Sequence, residues 1–277
     1  MAIALNQSSV SVRPRSRLFW SLWPLLNPIR GGFAAGVFWS VGGAAASQCF
    51  SLIAVMIAGR LLGPTDYGLV GMIQSTVGMF GIFAGMGLGL TATKYVAQFR
   101  DTDPARTGRV IDLTLETATL TSVMAMMALW IWAPQLAIGS LHAPEASTEL
   151  HIATILLISN AFQGVQFGIL AGLGNFRTIA VLSMLRGMAI CLAFATAIPI
   201  WHIRGAVWAL SLSAALGTGI SQIPVHRACA RAGIRLGLGA GWVERSLVWR
   251  FSIPSMLGGV IAVPAAWLAS VIVLQQP

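Results

Sequence analysis

Charged residues are scarce in this chain. Only 9% of its 277 residues are Asp, Glu, Lys or Arg, whereas 56% are apolar. An ordinary soluble domain has roughly 25% charged residues. A soluble core that buried so many apolar side chains would leave too few polar ones to cover its surface. Because lipid can solvate the outside of a helix, the composition excludes a soluble domain and predicts a membrane protein.

Cysteine and histidine are too few and too dispersed for disulfide or metal chemistry. The three cysteines, Cys49, Cys191 and Cys229, lie far apart, and the four histidines form no HExxH motif. Disulfide frameworks and zinc sites need closely spaced partners. The sequence also offers no nucleophile–base set and no paired carboxylates. We therefore expect no enzymatic activity, no metal site and no cofactor.

The few charges divide the chain into long uncharged segments. About 20 residues of helix cross the hydrocarbon core of a bilayer. The pattern predicts an all-α, polytopic transmembrane helix bundle of about seven spans, the fifth of which must begin before Arg186. The segments have 29, 27, 28, 27, 17, 22 and 27 residues and follow, in order, Arg30, Asp66, Glu116, Glu149, Arg186, Arg204 and Arg250.

The net charge of +9 is explained by where the bases lie. They stand between apolar segments, not along one groove-sized face, so we expect no nucleic-acid partner. If the N-terminus is cytosolic, 15 of the 17 Lys and Arg residues are on the inner side, and only Arg60 and Arg204 are outside. The positive-inside rule then predicts a cytosolic N-terminus and an external C-terminus in the inner or plasma membrane.

Small residues recur at four-residue spacing in two of the predicted spans. Such stripes allow helix backbones to approach closely inside a membrane. We expect them to be packing surfaces. They consist of Gly81, Gly85 and Gly89 in span two and of Gly164, Gly168 and Gly172 in span four.

Four segments carry a resemblance to a known family. The segment AGRLLGPTDYGLVGMIQS (residues 58–75) has a tight turn at Gly63-Pro64, after which Asp66 is predicted to cap a new helix. It resembles the R-x-L-G-P-x-x-[YF]-G signature of the polysaccharide transporter family, the Wzx-type oligosaccharide flippases of the multidrug/oligosaccharidyl-lipid/polysaccharide exporter superfamily. Residues 85–111, 168–187 and 251–270 are similar, in order, to later segments of that family. The resemblance covers Gly36 to about Ser270.

The resemblance implies a flippase for a lipid-linked oligosaccharide in surface polysaccharide biosynthesis, such as that of lipopolysaccharide or exopolysaccharide. Its substrate would be an undecaprenyl-pyrophosphate-linked sugar unit, moved by alternating access between two helix bundles. Other expected partners are membrane lipids, a missing C-terminal half and other polysaccharide assembly proteins. The expected organisation is a cytosolic or interfacial segment (1–30), a six-helix bundle (31–230), a basic cytosolic linker (231–250) and a seventh span that starts a second bundle (251–277).

A sugar pyrophosphate needs a wet, cationic cavity, and five residues are candidates to line it. Arg186 lies deep in span five, and the alternative role for it is an arginine that reaches the headgroups. Lys94 ends span two, and Arg60 ends span one, where an ion pair to the hairpin is the alternative. Asn160 and Gln163 share one face of span four with Gln166, and interhelical hydrogen bonds are their alternative role.

Two other functions stay open at this point. A cation-coupled small-molecule exporter of the same superfamily would need a carboxylate inside the membrane. The spans offer only Glu116, near an end, where it also suits the positive N-terminus of a helix. Because the family has twelve to fourteen spans, the third possibility is a truncated, non-transporting membrane protein or accessory subunit.

Overall fold

The computed structural model describes residues 23–139, 143, 146–234, 236, 237, 239–257, 265 and 267. The described residues are all-α, as predicted, and contain no strand. Four segments are long and apolar enough to cross a membrane: Phe38–Gly85, Pro104–Gly139, Ala146–Gly172 and Phe176–Arg231. The helices are α1 (Trp23–Gly85), α2 (Leu88–Phe99), α3 (Pro104–Gly139), α4 (Ala146–Gly172) and α5 (Phe176–Arg231), followed by a 3-10 helix (Ala240–Glu244) and a π-helix (Val248–Ser252).

Helix α1 consists of two arms that reverse direction at Gly63. Gly63 has φ 76° and ψ 175°, a conformation outside the helical region that glycine adopts without steric cost. In a straight helix Val55 and Gln74 would lie about 28 Å apart, yet both line one cavity of about 300 Å³. The chain therefore folds back into the hairpin that the Gly63-Pro64 pair predicts. Asp66 lies three residues after Gly63, and its predicted role as a helix cap stays a prediction.

Helix α5 reverses in the same way at His202, where φ is 48° and ψ is −126°. In a straight helix Ala189 and Leu216 would be about 40 Å apart, yet they line one cavity. The backbone at Gly205 touches the carbonyl group of Ala197, so the two arms meet close to the turn. With both reversals, the described residues provide six arms of membrane-spanning length, in the order predicted for the first six spans.

Most of the predicted seventh span lies outside the described residues. Residues 1–22 lie wholly outside them. The described part of the seventh span runs along α2 and the second arm of α1. The hydroxyls of Ser252 and Thr91 are 2.6 Å apart, and the indole N–H of Trp267 donates to the Thr76 hydroxyl at 3.2 Å. The seventh span, the domain boundaries and the cytosolic N-terminus therefore stay predictions.

The glycine stripes bring α2 and α4 into backbone contact. A Cβ atom added to Gly89 would stand 2.6 Å from the carbonyl oxygen of Gly164, and one added to Gly168 would overlap the carbonyl group of Gly89. Gly172 leaves space in the same way for Val96. Gly89, Gly168 and Gly172 thus form a packing surface, as their spacing predicts, whereas Gly81 and Gly85 have no neighbour closer than 3.9 Å and line a cavity.

Carboxylates near the start of α3 hold the segment that follows α5. Asp112 accepts a hydrogen bond from the backbone N–H of Gly237 at 2.8 Å, and Glu116 accepts one from that of Gly239 at 2.6 Å. Glu244 accepts two hydrogen bonds from Arg106, at 2.9 and 3.0 Å. Oε1 of Glu116 is therefore engaged by the linker, whereas its Oε2 atom is buried without a hydrogen-bond partner among the described residues.

Candidate functional site

A polar cavity of about 490 Å³ lies between the two arms of α1, helix α4 and helix α5. Amides and hydroxyls supply most of its polar groups. Among the described residues that line it there is one cation, Arg186, and no carboxylate. The polar lining consists of Ser47, Gln48, Ser51, Gln74, Asn160, Gln163, Ser183 and Arg186.

Arg186 projects into this cavity from the middle of the first arm of α5. It lies ten residues after Phe176, the first residue of α5, which corresponds to about 15 Å along the helix and to half of a hydrocarbon core of about 30 Å. Its Nη2 atom donates a hydrogen bond of 2.8 Å to Oδ1 of Asn160. The side chain is half-buried. The guanidinium thus faces a polar partner inside the bundle, well along the helix from its first residue.

Glycine makes room for the arginine on the facing arm. A Cβ atom on Gly217, in the second arm of α5, would lie 4.0 Å from Cγ of Arg186 and 3.9 Å from Nε2 of Gln163. Gly78 of α1 also lines the cavity. The side chains of Arg186 and Gln163 therefore both enter the polar cavity, and no large side chain separates them.

The three amides of α4 divide between two roles. Asn160 and Gln163 line the cavity. Gln166 is fully buried and donates from Nε2 to the carbonyl oxygen of Thr218 at 3.1 Å. The Thr218 hydroxyl in turn donates to the carbonyl oxygen of Ser159 at 3.0 Å. Gln166 therefore joins α4 to α5, whereas Gln163 and the Asn160 that accepts from Arg186 line the cavity.

The other two predicted cations lie elsewhere. The exposed Lys94 has its Nζ atom 4.1 Å from the ring centroid of Phe251 and 5.0 Å from that of Tyr95. Arg60 is exposed near the α1 turn, and no described carboxylate lies within ion-pairing distance of it, so the ion pair to Asp66 is not formed. Neither residue lines the polar cavity.

Sequence reasoning missed the contribution of α1 to the cavity. Ser47, Gln48 and Ser51 lie close together, about one helical turn apart, in the first uncharged segment. Gln74 is an amide in the second uncharged segment. Polar residues at helical spacing in an otherwise apolar span are the signal that identifies this face. The residues that they face depend on helix rotation, which the sequence does not specify.

A second cavity, of about 740 Å³, adjoins the first. The two share Val77, Gly78, Asn160 and Phe167. From there the second cavity extends past glycines of α1, α2 and α4 to Thr93 and to Phe176, at the start of α5. That end of the bundle carries the basic residues Arg100, Arg106, Arg109, Arg177 and Arg231.

Two solved transporter structures share this fold. One is the outward-facing conformation of a multidrug resistance MATE family transporter of the MOP superfamily, with 18% identity and a TM-score of 0.64 over 82% of this chain and 52% of that one. The other is a MOP superfamily transporter from Pyrococcus furiosus, described by the reverse polarity of its binding pocket, with 15% identity and a TM-score of 0.60 over 81% of this chain and 51% of that one. The present chain spans about half the length of each.

At these identities the similarity establishes the fold alone. No curated protein matches the chain. The model of one family, described as polysaccharide biosynthesis protein, matches residues 33–274. That match covers most of the sequence and agrees with the resemblance carried by the four segments. The chain is a multi-pass membrane protein with the MOP transporter fold, and it belongs to the polysaccharide biosynthesis protein family.

Proposed function

We propose that this protein acts in moving a lipid-linked oligosaccharide across the cytoplasmic membrane, with the polar cavity as the binding site for the sugar and pyrophosphate. The observation that carries the proposal is the position of Arg186. It is the one cation among the described lining residues, and Asn160 holds it at 2.8 Å in the middle of the bundle. A charge at this depth is costly to insert, which favours a functional role over a structural one.

The cavity suits the chemistry of such a headgroup. A guanidinium can donate two parallel hydrogen bonds to phosphate oxygens. Gln48, Gln74 and Gln163 can each donate to and accept from sugar hydroxyls. The volume of about 490 Å³ falls within the range of roughly 300–1,000 Å³ that is typical of small-molecule sites. The polyprenyl tail needs no polar site because it can stay in lipid.

The adjoining glycine-lined cavity supports a route to one side of the membrane. It leads from Asn160 toward the start of α5, where the basic residues are concentrated. By the positive-inside rule that end is cytosolic. An anionic headgroup that enters there meets a field of positive charge first and Arg186 afterwards, which favours loading from the cytosol.

A cation-coupled exporter of small cationic molecules fits this cavity less well. Four carboxylates, Asp112, Glu116, Glu149 and Glu244, each accept a hydrogen bond from a structural partner near an end of the bundle. None lines the polar cavity, whose one described charge is positive. That electrostatic sign disfavours a cationic drug and favours an anionic or neutral sugar substrate.

The test compares Arg186→Ala with Arg186→Lys in a strain that depends on this gene for its surface polysaccharide. We expect the Ala variant to lose export, because the anion loses its counter-charge. The Lys variant should keep part of it, because a point charge replaces the bidentate fork. The control is Arg227→Ala, an exposed arginine on the same helix that does not line the cavity.

Full export by the Ala variant at normal protein level would remove Arg186 from the mechanism. A deletion strain with normal surface polysaccharide but raised sensitivity to cationic drugs would instead support the small-molecule exporter. A chain that is stable in the membrane yet restores neither phenotype would support the accessory role.

A further inference from the structure

The two arms of α5 enclose a groove of about 640 Å³ on the side away from the polar cavity. Ala189, Ala193 and Ala197 recur every four residues along its first arm, and Leu216 lies on the opposite wall. Because the turn at His202 holds the arms together at one end, the small side chains leave a furrow between them. We call this furrow the α5 groove.

One end of the α5 groove is polar and aromatic, unlike the rest. Trp201, Arg204 and Trp208 line it there. All three are exposed, with 60% of Trp201, 42% of Trp208 and 62% of the Arg204 side chain accessible. Tryptophan concentrates at the boundary between hydrocarbon and headgroups, where its ring is apolar and its N–H is polar. The mouth of the groove therefore lies at headgroup level.

A buried carboxylate orients Arg204 but accepts a hydrogen bond from only one of its nitrogen atoms. Its Nε atom donates to Oε1 of Glu149 at 3.0 Å, and the Glu149 side chain is only 4% exposed. Glu149 cancels the charge formally, but it binds only the inner edge of the guanidinium. The two terminal nitrogens make no hydrogen bond to a described residue, and the side chain is 62% exposed, so they can donate to an anion at the mouth.

The length of the groove matches one leaflet of a bilayer. From Trp201 to Ala189 the first arm rises by about 18 Å, and half of a hydrocarbon core of about 30 Å is about 15 Å. An acyl chain that starts at headgroup level would thus lie in the groove along its length. The phosphate of the same molecule would then stand beside Arg204.

We infer that the α5 groove is a binding site for an anionic phospholipid of the surrounding bilayer, with the phosphate on Arg204 and one acyl chain between the arms. The charge at the mouth selects an anionic headgroup, and the apolar walls select a hydrocarbon tail. The site is separate from the polar cavity, but α5 forms a wall of both. A lipid in this groove would therefore stabilise the position of α5, the helix that carries Arg186.

The experiment measures phospholipid retained by the purified full chain, by native mass spectrometry, after equilibration with phosphatidylglycerol or phosphatidylcholine. We expect roughly twofold to fivefold stronger retention of phosphatidylglycerol, because the pairing with Glu149 reduces the effect of about fivefold that one unpaired basic residue has near a membrane surface. Arg204→Gln should abolish the preference. Ala193→Leu, which fills the groove and leaves the Arg204–Glu149 pair intact, should reduce retention of both lipids.

The matched control is Ala195→Leu, an exposed position on the same arm that does not line the groove. It should behave like the unmodified chain. Equal retention of the two lipids by the unmodified chain would overturn the proposal, as would equal retention by the Ala193 and Ala195 variants. Displacement of phosphatidylglycerol by an equimolar prenyl monophosphate would overturn the assignment to a phospholipid. The comparison at Ala193 and Ala195 still decides the question if Arg204→Gln fails to fold.

Discussion

Glu244 is the residue that ties the linker most firmly to the bundle. It is 9% exposed, accepts two hydrogen bonds from Arg106 and lies 3.5 Å from Nη2 of Arg109. Hydrogen bonds to charged groups contribute about 1.5–3 kcal/mol, and the partly exposed arginines reduce that figure. We expect Glu244→Gln to lower the free energy of local opening of residues 239–247 by about 1–2 kcal/mol. Amide hydrogen exchange there should then be roughly tenfold faster.

Asp101→Asn provides the control for this change. Asp101 also pairs with an arginine, Arg100, but its side chain is 80% exposed. Exposed ion pairs contribute little, so exchange should not change. Unaltered exchange in the Glu244 variant as well would show that the backbone contacts to Asp112 and Glu116 suffice to hold the linker.

The sequence predicts individual residues of the candidate site, but it does not predict which of them contact each other. Arg186 was identified because a charge in the middle of an apolar segment is rare. Its hydrogen bond to Asn160 links residues 26 apart in the sequence. That contact depends on how α4 and α5 rotate about their axes, and hydropathy carries no such information. Lys94 illustrates the same limit, because its contact with Phe251 depends on the docking of a distant segment.

Helices α2 and α4 approach each other so closely that their contact has little room for a larger side chain. We expect Gly168→Ala to destabilise the protein by about 1–3 kcal/mol, because its Cβ atom would overlap the backbone of Gly89 and overpacking forces helices apart. Thermal unfolding in detergent measures the effect. Gly219→Ala is the control, since a Cβ atom there meets nothing within 4 Å, and alanine favours the helix over glycine by about 1 kcal/mol.

The opposite signs expected for these two Gly→Ala changes make the test specific. Equal stability of the two variants would mean that α2 and α4 can separate without cost. The sequence predicted glycine packing surfaces because four-residue glycine spacing has a direct physical meaning in a membrane, but it did not predict that these two helices contact each other. It predicted the α1 turn because Gly63 can adopt a backbone conformation outside the helical region and Pro64 disfavours a continuous helix. It could not fix the α5 turn at His202, because no glycine or proline stands at that position.

On the scale of the whole molecule, most of the described basic residues lie at one end of the bundle, whereas the α1 and α5 turns lie at the other end together with Arg60 and Arg204. We expect the turns to face the outside. In a chain whose three cysteines are replaced by serine, Thr65→Cys should react with a membrane-impermeant maleimide in intact cells. Ser246→Cys should react only after permeabilisation. Both positions are exposed. Reaction of the two cysteines from the same side would contradict the topology.

The hydrogen bond between Arg186 and Asn160 also bears on how the protein is made. An arginine at the centre of a span costs about 2.5–3.5 kcal/mol to insert. Asn160 leaves the ribosome 26 residues earlier, or about 1–5 s before Arg186 at usual rates of synthesis. We therefore expect Asn160 of α4 to be outside the ribosome before the arginine arrives. The order of translation thus places the hydrogen-bond acceptor, Asn160, ahead of the charged donor, Arg186. We therefore expect the membrane insertion of α5 to depend on α4.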